Sequence, residues 1–240
     1  MELLQGIFTS IFVVISIILG MMILLKYFKY KQRDFVFVGL AWIGMSFPWV
    51  PDAINLFLIL FFNTILSETV YFFIVIGLLP IPLFSWLIAF TDLFTIKTQR
   101  IILVIDLILS VIFEIFFISI LIIDVALVGR FVSVFQPEYT IIFQIYFLSI
   151  IAIFSTTAIL FTLNSRRSEN PEIKLKGNLL FIAIIFFVFG AIMDAIIPLT
   201  SVTLVITRIT LIIAAVMYYN GFILPNWIKK RILKNSKSIE

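Results

Sequence analysis

LQGIFTSIFVVISIILGMMILLKYFKYKQR, residues 4–33, is an apolar run that ends in a stretch carrying four cations, Lys26, Lys29, Lys31 and Arg33. A bilayer core of about 30 Å is crossed by roughly 20 apolar helical residues, and Leu4–Leu25 meets that length. The residues before the run, Met1-Glu2, are not basic, and no small-residue cleavage site follows it. The run therefore reads as a retained anchor rather than a secretory leader. Cations concentrate on the cytoplasmic side of membrane proteins, so its N-terminus is expected outside.

The same alternation continues along the chain. Of 17 Lys and Arg, 15 fall in three loops (26–33, 97–100, 166–176) and in the tail after the last apolar segment. Arg130 lies in an intervening loop and Arg208 inside the seventh segment. This pattern predicts an all-α, polytopic bundle of seven transmembrane helices, N-terminus outside and C-terminus inside. The predicted spans are 4–25, 35–50, 69–90, 101–123, 139–163, 178–199 and 204–222, in one membrane domain over 1–240, with a basic tail over 226–240. The composition agrees: 63% hydrophobic residues and 12% charged, with mean hydropathy +1.24. A soluble domain carries about 25% charged residues.

Prolines and glycines punctuate the spans. Pro48 and Pro51 mark the end of the second, and Asn55–Leu66 reads as its extension or as an interfacial helix. Gly77, Pro80 and Pro82 predict a kink in the third, and Gly190 and Pro198 possible bends in the sixth. The outer loop Asp124–Glu138 is apolar enough to fold back onto the bundle. Trp42, Trp49, Trp86 and Trp227 read as interface anchors or bundle residues. Phe47, Pro48 and Trp49 read mainly as packing, with lining of the outer mouth as the alternative.

Composition also excludes chemistry. Neither Cys nor His occurs, which removes thiolate catalysis, His general bases, His-ligated haem and Cys/His zinc sites. Every lysine lies in a loop or the tail, so a buried Schiff-base lysine is excluded as well. No HExxH, GxSxG, Walker or CxxC pattern is present. The chain is not expected to be an enzyme, and no cofactor or metal is implied. The basic residues are split among short clusters beside spans, which suits an anionic inner leaflet and not nucleic acid. Lys229, Lys230, Arg231 and Lys234, with Trp227 and Ile228, are expected to lie on inner-leaflet lipid.

Four ionisable residues fall inside predicted spans: Asp106, Glu114, Asp194 and Arg208. Each costs at least about 2.5 kcal/mol if isolated at the bilayer centre. Counted at about 1.5 Å per residue, Glu114, Asp194 and Arg208 share a level in the outer half. Asp194 and Arg208 flank a short turn and are expected to pair. Glu114 would add a second carboxylate, making a candidate ligand- or proton-binding site, and Asp52 would join it from the second span. A purely structural Asp194–Arg208 pair is the alternative. Asp106, near the inner end, reads as structural. A short echo links the halves: Asp52-Ala53-Ile54 ends the second helix as Asp194-Ala195-Ile196 ends the sixth. Two three-helix repeats joined by a linker helix would produce such an echo.

The layout resembles the seven-helix sensory region at the N-terminus of many histidine kinases. The likeness is carried by Leu24–Arg33, an apolar helix ending in a basic loop; by Phe35–Trp49 with Trp42; by Ile76–Phe90 (IGLLPIPLFSWLIAF), a proline-bearing third helix followed by Asp92; and by Lys174–Ala195, which ends near an outer acid. The resemblance implies a ligand- or membrane-sensing module that passes a conformational change inward. No output domain follows the seventh helix in this sequence, so a cytoplasmic signalling partner is expected. The alternatives are a small 3+1+3 transporter and a scaffold without ligand.

Overall fold

A computed structural model describes residues 2–94, 96–196 and 200–236. Within them lie seven segments long and apolar enough to cross a membrane: Leu3–Tyr30, Asp34–Phe62, Glu68–Leu93, Gln99–Ile123, Ile141–Arg166, Pro171–Ala195 and Val202–Ile223. The expected bend at Pro198, the sixth-span terminus at Leu199 and the tail residue Lys237 lie outside the described residues.

The first span is α1 (Glu2–Leu24) continued by α2 (Lys26–Tyr30). The second is α3 (Asp34–Met45), a 3₁₀ turn at Phe47–Trp49 and α4 (Val50–Phe62). The span does not stop at the expected boundary, Val50, but runs on to Phe62, so the stretch from Asn55 to Phe62 is its extension and not a separate interfacial helix. Pro48 and Pro51 each open a helical segment, where the missing N–H costs nothing, so they bend the span without ending it. Asn63 ends it in the left-handed region, φ 50°, which an asparagine tolerates better than most residues. Asn55, two turns earlier, accepts from the Leu66 amide at 2.8 Å and ties the following loop back.

The third span begins with α5 (Glu68–Phe72), widens into a π turn at Phe73–Gly77 and resumes as α6 (Pro80–Leu93). Pro80 cannot donate to the Ile76 carbonyl, so the expected kink takes the form of this loosened turn. The remaining spans are α7 (Gln99–Ile123), α8 (Ile141–Arg166), α9 (Pro171–Ile196) and α10 (Ser201–Ile223). The basic loop before α9 is shorter than expected, because Lys174 and Lys176 already lie in its first turns. The tail forms α11 (Asn226–Ser236), with Trp227 exposed and Ile228 packed on Leu175 and Leu224.

Six spans form a ring in which α1 touches α3 and α10, α3 touches α6, α6 touches α8, and α9 joins α8 to α10. The fourth span, α7, lies outside the ring against α6 and the π turn. Burial separates them sharply: α6 alone buries eight residues, whereas the whole of α7 buries two, Phe117 and Leu121. The core fills with aromatics. Trp42 stacks on Tyr218 at 4.0 Å, Trp86 meets Phe154 at 5.1 Å and Phe12 meets Trp49 at 5.1 Å. Trp42, Trp49 and Trp86 are buried in the bundle, so the interface-anchor reading is corrected for these three.

The loop after α7 is not wholly irregular. Strands β1 (Gly129–Ser133) and β2 (Gln136–Tyr139) pair antiparallel as a hairpin, an addition to the expected all-helical fold. The hairpin folds back as expected. Gln5 donates to the Phe135 carbonyl, Asn55 to the Val134 carbonyl at 3.3 Å, and the Phe131 amide donates to Glu68 at 3.1 Å. The first three spans thus pin it over one end of the ring, here termed the hairpin end. The cationic loops gather at the opposite, basic end, where Arg33 donates twice to Asp92 and Lys229 pairs with Glu172.

Candidate functional site

Beneath the hairpin lies a cavity of about 490 Å³. Gln5 of α1, Asp52 of α4, Tyr71 of α5, Asp194 of α9 and Arg208 of α10 all line it, and residues 130–139 roof it. No residue of α7 takes part.

The short connection between α9 and α10 sets the central pair. Thr200 and Thr203 form a reciprocal cap, each hydroxyl accepting from the other's amide, at 2.8 and 3.3 Å. Satisfying those first-turn amides fixes where α10 starts. Two turns later it presents Arg208 to Asp194, near the end of α9, and the two form a salt bridge. Arg208 is 2% exposed, and its Nε donates to Thr9 Oγ1 at 2.8 Å. Trp49 Nε1 donates to the same carboxylate oxygen of Asp194 that Arg208 engages. Oδ1 of Asp194 has no hydrogen-bond partner among the described residues.

Asp52 approaches from the second span. It is 4% exposed and accepts from the Tyr71 hydroxyl at 2.8 Å. It lies within electrostatic reach of both Arg208 and Asp194. Arg208 bonds one carboxylate, that of Asp194, and the acid standing near this pair is Asp52 and not Glu114. Tyr139, at the base of β2, completes the polar rim. Burial pushes its phenol well above the usual range, and the Asp52 and Asp194 charges add to that, so it stays a neutral hydroxyl.

The echo between Asp52-Ala53-Ile54 and Asp194-Ala195-Ile196 gains a structural counterpart. Each aspartate bonds a polar side chain on the span that follows its own: Tyr71 for Asp52, in the first turn of α4, and Arg208 for Asp194, near the end of α9. Both aspartates line the one cavity. Pro48 and Trp49 line it as well, so the alternative reading of these two as mouth residues describes them better than packing alone.

Glu114 is the sequence-expected site residue that the bundle does not bring in. It sits half-buried on α7, and one of its oxygens is buried without a partner among the described residues. Glu114 and Asp106 lie near Tyr146 of α8 rather than near Arg208. The residues sequence reading overlooked are Gln5, Thr9, Tyr71, Tyr139 and the hairpin. The available signal was an uncharged polar side chain in an apolar span, Gln5 and Thr9 above all, since such groups seek partners inside a bundle.

No protein-family model matches the chain, and no curated protein matches it in sequence.

Proposed function

We propose that this chain is a receptor-like or sensor-like protein of the cell membrane, N-terminus outside, whose small-molecule site is the hairpin-end cavity. The carrying observation is the cavity itself: a drug-sized space whose mostly apolar lining converges on the buried Asp52 and Arg208 and the partly buried Asp194. A pocket of that size and mixed lining is the usual form of a ligand site. Ligand contact with Asp194 or Trp49 would move α9 and α10 against the second span, and the π turn and Pro80 give the third span a place to bend. The basic surface and α11 would then meet inner-leaflet lipid and a signalling partner.

Orientation has a direct test, because the chain contains no cysteine. Val132→Cys on the hairpin is expected to react with a membrane-impermeant maleimide in intact cells. Lys29→Cys is expected to react only after permeabilisation. The opposite pattern would invert the topology and remove the site from the outside. The site is tested by a small-molecule melting screen on purified protein. Compounds that stabilise the wild type are expected to lose most of their effect on Ala195→Trp, which places an indole inside the cavity. Equal stabilisation of both proteins would place the ligand elsewhere.

A second reading, a 3+1+3 transporter, is favoured by two observations. The fourth span stands outside the six-helix ring, as a linker helix would. A smaller cleft of about 190 Å³ opens at the basic end, lined by Val38, Leu180 and Phe222. A narrow aromatic layer separates the two spaces: Phe187 of the outer cavity packs on Trp42, Trp42 stacks on Tyr218, and Tyr218 touches Phe222 at 4.9 Å. Uptake of a stabilising compound into proteoliposomes decides between the readings. Accumulation requires the transporter, and tight binding without accumulation requires the receptor.

A further inference from the structure

We infer that the ligand taken by this cavity is an organic ammonium, a monocation on an aromatic or aliphatic body. The inference rests on the cavity being a ligand site, and it concerns which chemical class fits there.

Charge is the first consideration. The cavity is lined by three acids, Asp52, Glu138 and Asp194, against two guanidinium groups, Arg130 and Arg208, a net formal charge of −1. Both guanidinium groups are already engaged. Arg130 donates twice to Glu138 at the exposed rim, at 3.0 and 2.8 Å. Arg208 is held by Asp194 and Thr9 and is almost wholly buried. An incoming carboxylate or phosphate would meet guanidinium groups whose charge Glu138 and Asp194 already offset. Asp52, by contrast, has a single hydrogen bond from a neutral phenol. It lies within reach of Arg208, which is bonded to Asp194, and makes no ion pair of its own among the described residues; a buried carboxylate in that position takes a cation or a proton.

The walls select the kind of cation. Trp49, Tyr71, Tyr139, Phe147, Phe154 and Phe187 face the space. Aromatic faces attract ammonium groups, and the attraction is greatest where water is excluded. They offer nothing to a small metal ion, which needs six or more oxygens that these walls do not supply. They also provide the apolar area for the remainder of an amine too large for a bare ammonium site. Asp52 is then the ion-pair partner, Tyr71 holds its carboxylate in place, and the Asp194–Arg208 pair, internally neutral, shapes the opposite wall.

The test uses three probes of nearly one shape on the full-length protein: 2-phenylethylammonium, 2-phenylethanol and 3-phenylpropanoate. Binding is read by calorimetry near neutral pH. The ammonium is expected to bind about tenfold or more tighter than the alcohol, the increment of a charge-assisted bond, and the carboxylate weakest. Asp52→Asn, which keeps an acceptor for Tyr71, is expected to remove that preference. Tyr71→Phe, which keeps every charge, is expected to retain it. Equal binding of ammonium and alcohol, preference for the carboxylate, or an undiminished ammonium preference in folded Asp52→Asn each overturns the inference. The last of these means that Asp52 holds only a proton. The three-probe comparison on wild-type protein decides even if a variant does not fold. Failure of the ammonium alone leaves the cavity reading standing, since that reading is judged by the Ala195→Trp screen and not by charge class.

Discussion

Replacing Arg208 by alanine is expected to lower stability by about 3–5 kcal/mol, the usual cost of removing one partner of a buried ion pair. The magnitude follows from what remains. Asp194 keeps only the Trp49 N–H, Thr9 loses its donor, and Asp52 loses the one cation in its reach. Both carboxylates are largely withdrawn from water, Asp52 being 4% exposed and the Asp194 side chain 15%. Thermal unfolding in detergent measures the effect. Arg208→Ala with Asp194→Asn should recover part of the loss, since the amide carries no charge to strand. Glu114→Gln should stay within about 0.5 kcal/mol of wild type, the range of substitutions away from networks. A melting midpoint for Arg208→Ala equal to that of Glu114→Gln would show that the guanidinium holds nothing together.

That contrast also marks how far the sequence could be read. Counting residues from a basic loop fixes a side chain's depth, because an apolar helix advances about 1.5 Å per residue whatever its surroundings. Depth put Asp194 and Arg208 together, and the four-residue turn between their helices did the rest. Depth also put Glu114 at their level, and there it misled. Depth does not say which neighbour a helix meets: Asp106, Ser110 and Glu114 recur every four residues on the stripe that also carries the buried Phe117 and Leu121, so the sequence marks the packing face of α7 but not that this face packs outside the ring. Its place outside the ring removes Glu114 from the cavity. Asp52 was legible from its place at the expected outer end of the second helix. The prolines of the second span were overread as an ending, because Pro48 and Pro51 fall at first-turn positions where a helix accepts them. The hairpin gave little warning, since residues 124–138 are apolar without strict alternation and are held by Gln5, Asn55 and Glu68, three residues distant in sequence.

Gly39→Val is expected to be as damaging as the loss of a core side chain, although it adds atoms and removes none. Gly20 of α1 and Gly39 of α3 meet where the first two spans cross. A Cβ on Gly39 would stand 2.7 Å from the Gly20 carbonyl oxygen and 2.9 Å from the Leu24 amide nitrogen. Both are backbone atoms of a continuous helix and cannot swing aside, so the spans must separate. Two effects compete. Removing a helix glycine gains up to about 1 kcal/mol in propensity when the replacement is alanine, and less for a β-branched residue. Overpacking a fitted contact costs about 1–3 kcal/mol. For Gly39→Ala the balance is a modest loss, and for valine, with two further methyl groups at the crossing, the clash prevails. Gly6 gives the control. Its Cβ would meet only side-chain ends, Leu56 Cδ1 and Phe135 Cζ, each at 3.0 Å, which can shift by a rotamer adjustment. Gly6→Ala should therefore melt within about 1 kcal/mol of wild type. The crossing matters beyond stability, because α1 carries Thr9 and the second span carries Trp49 and Asp52. Parting them pulls Thr9 off Arg208 and Trp49 off Asp194 together. Gly39→Ala, the milder variant, should thus weaken ligand binding more than its melting point suggests, and binding that tracks stability alone would show the cavity to be insensitive to how these two spans cross.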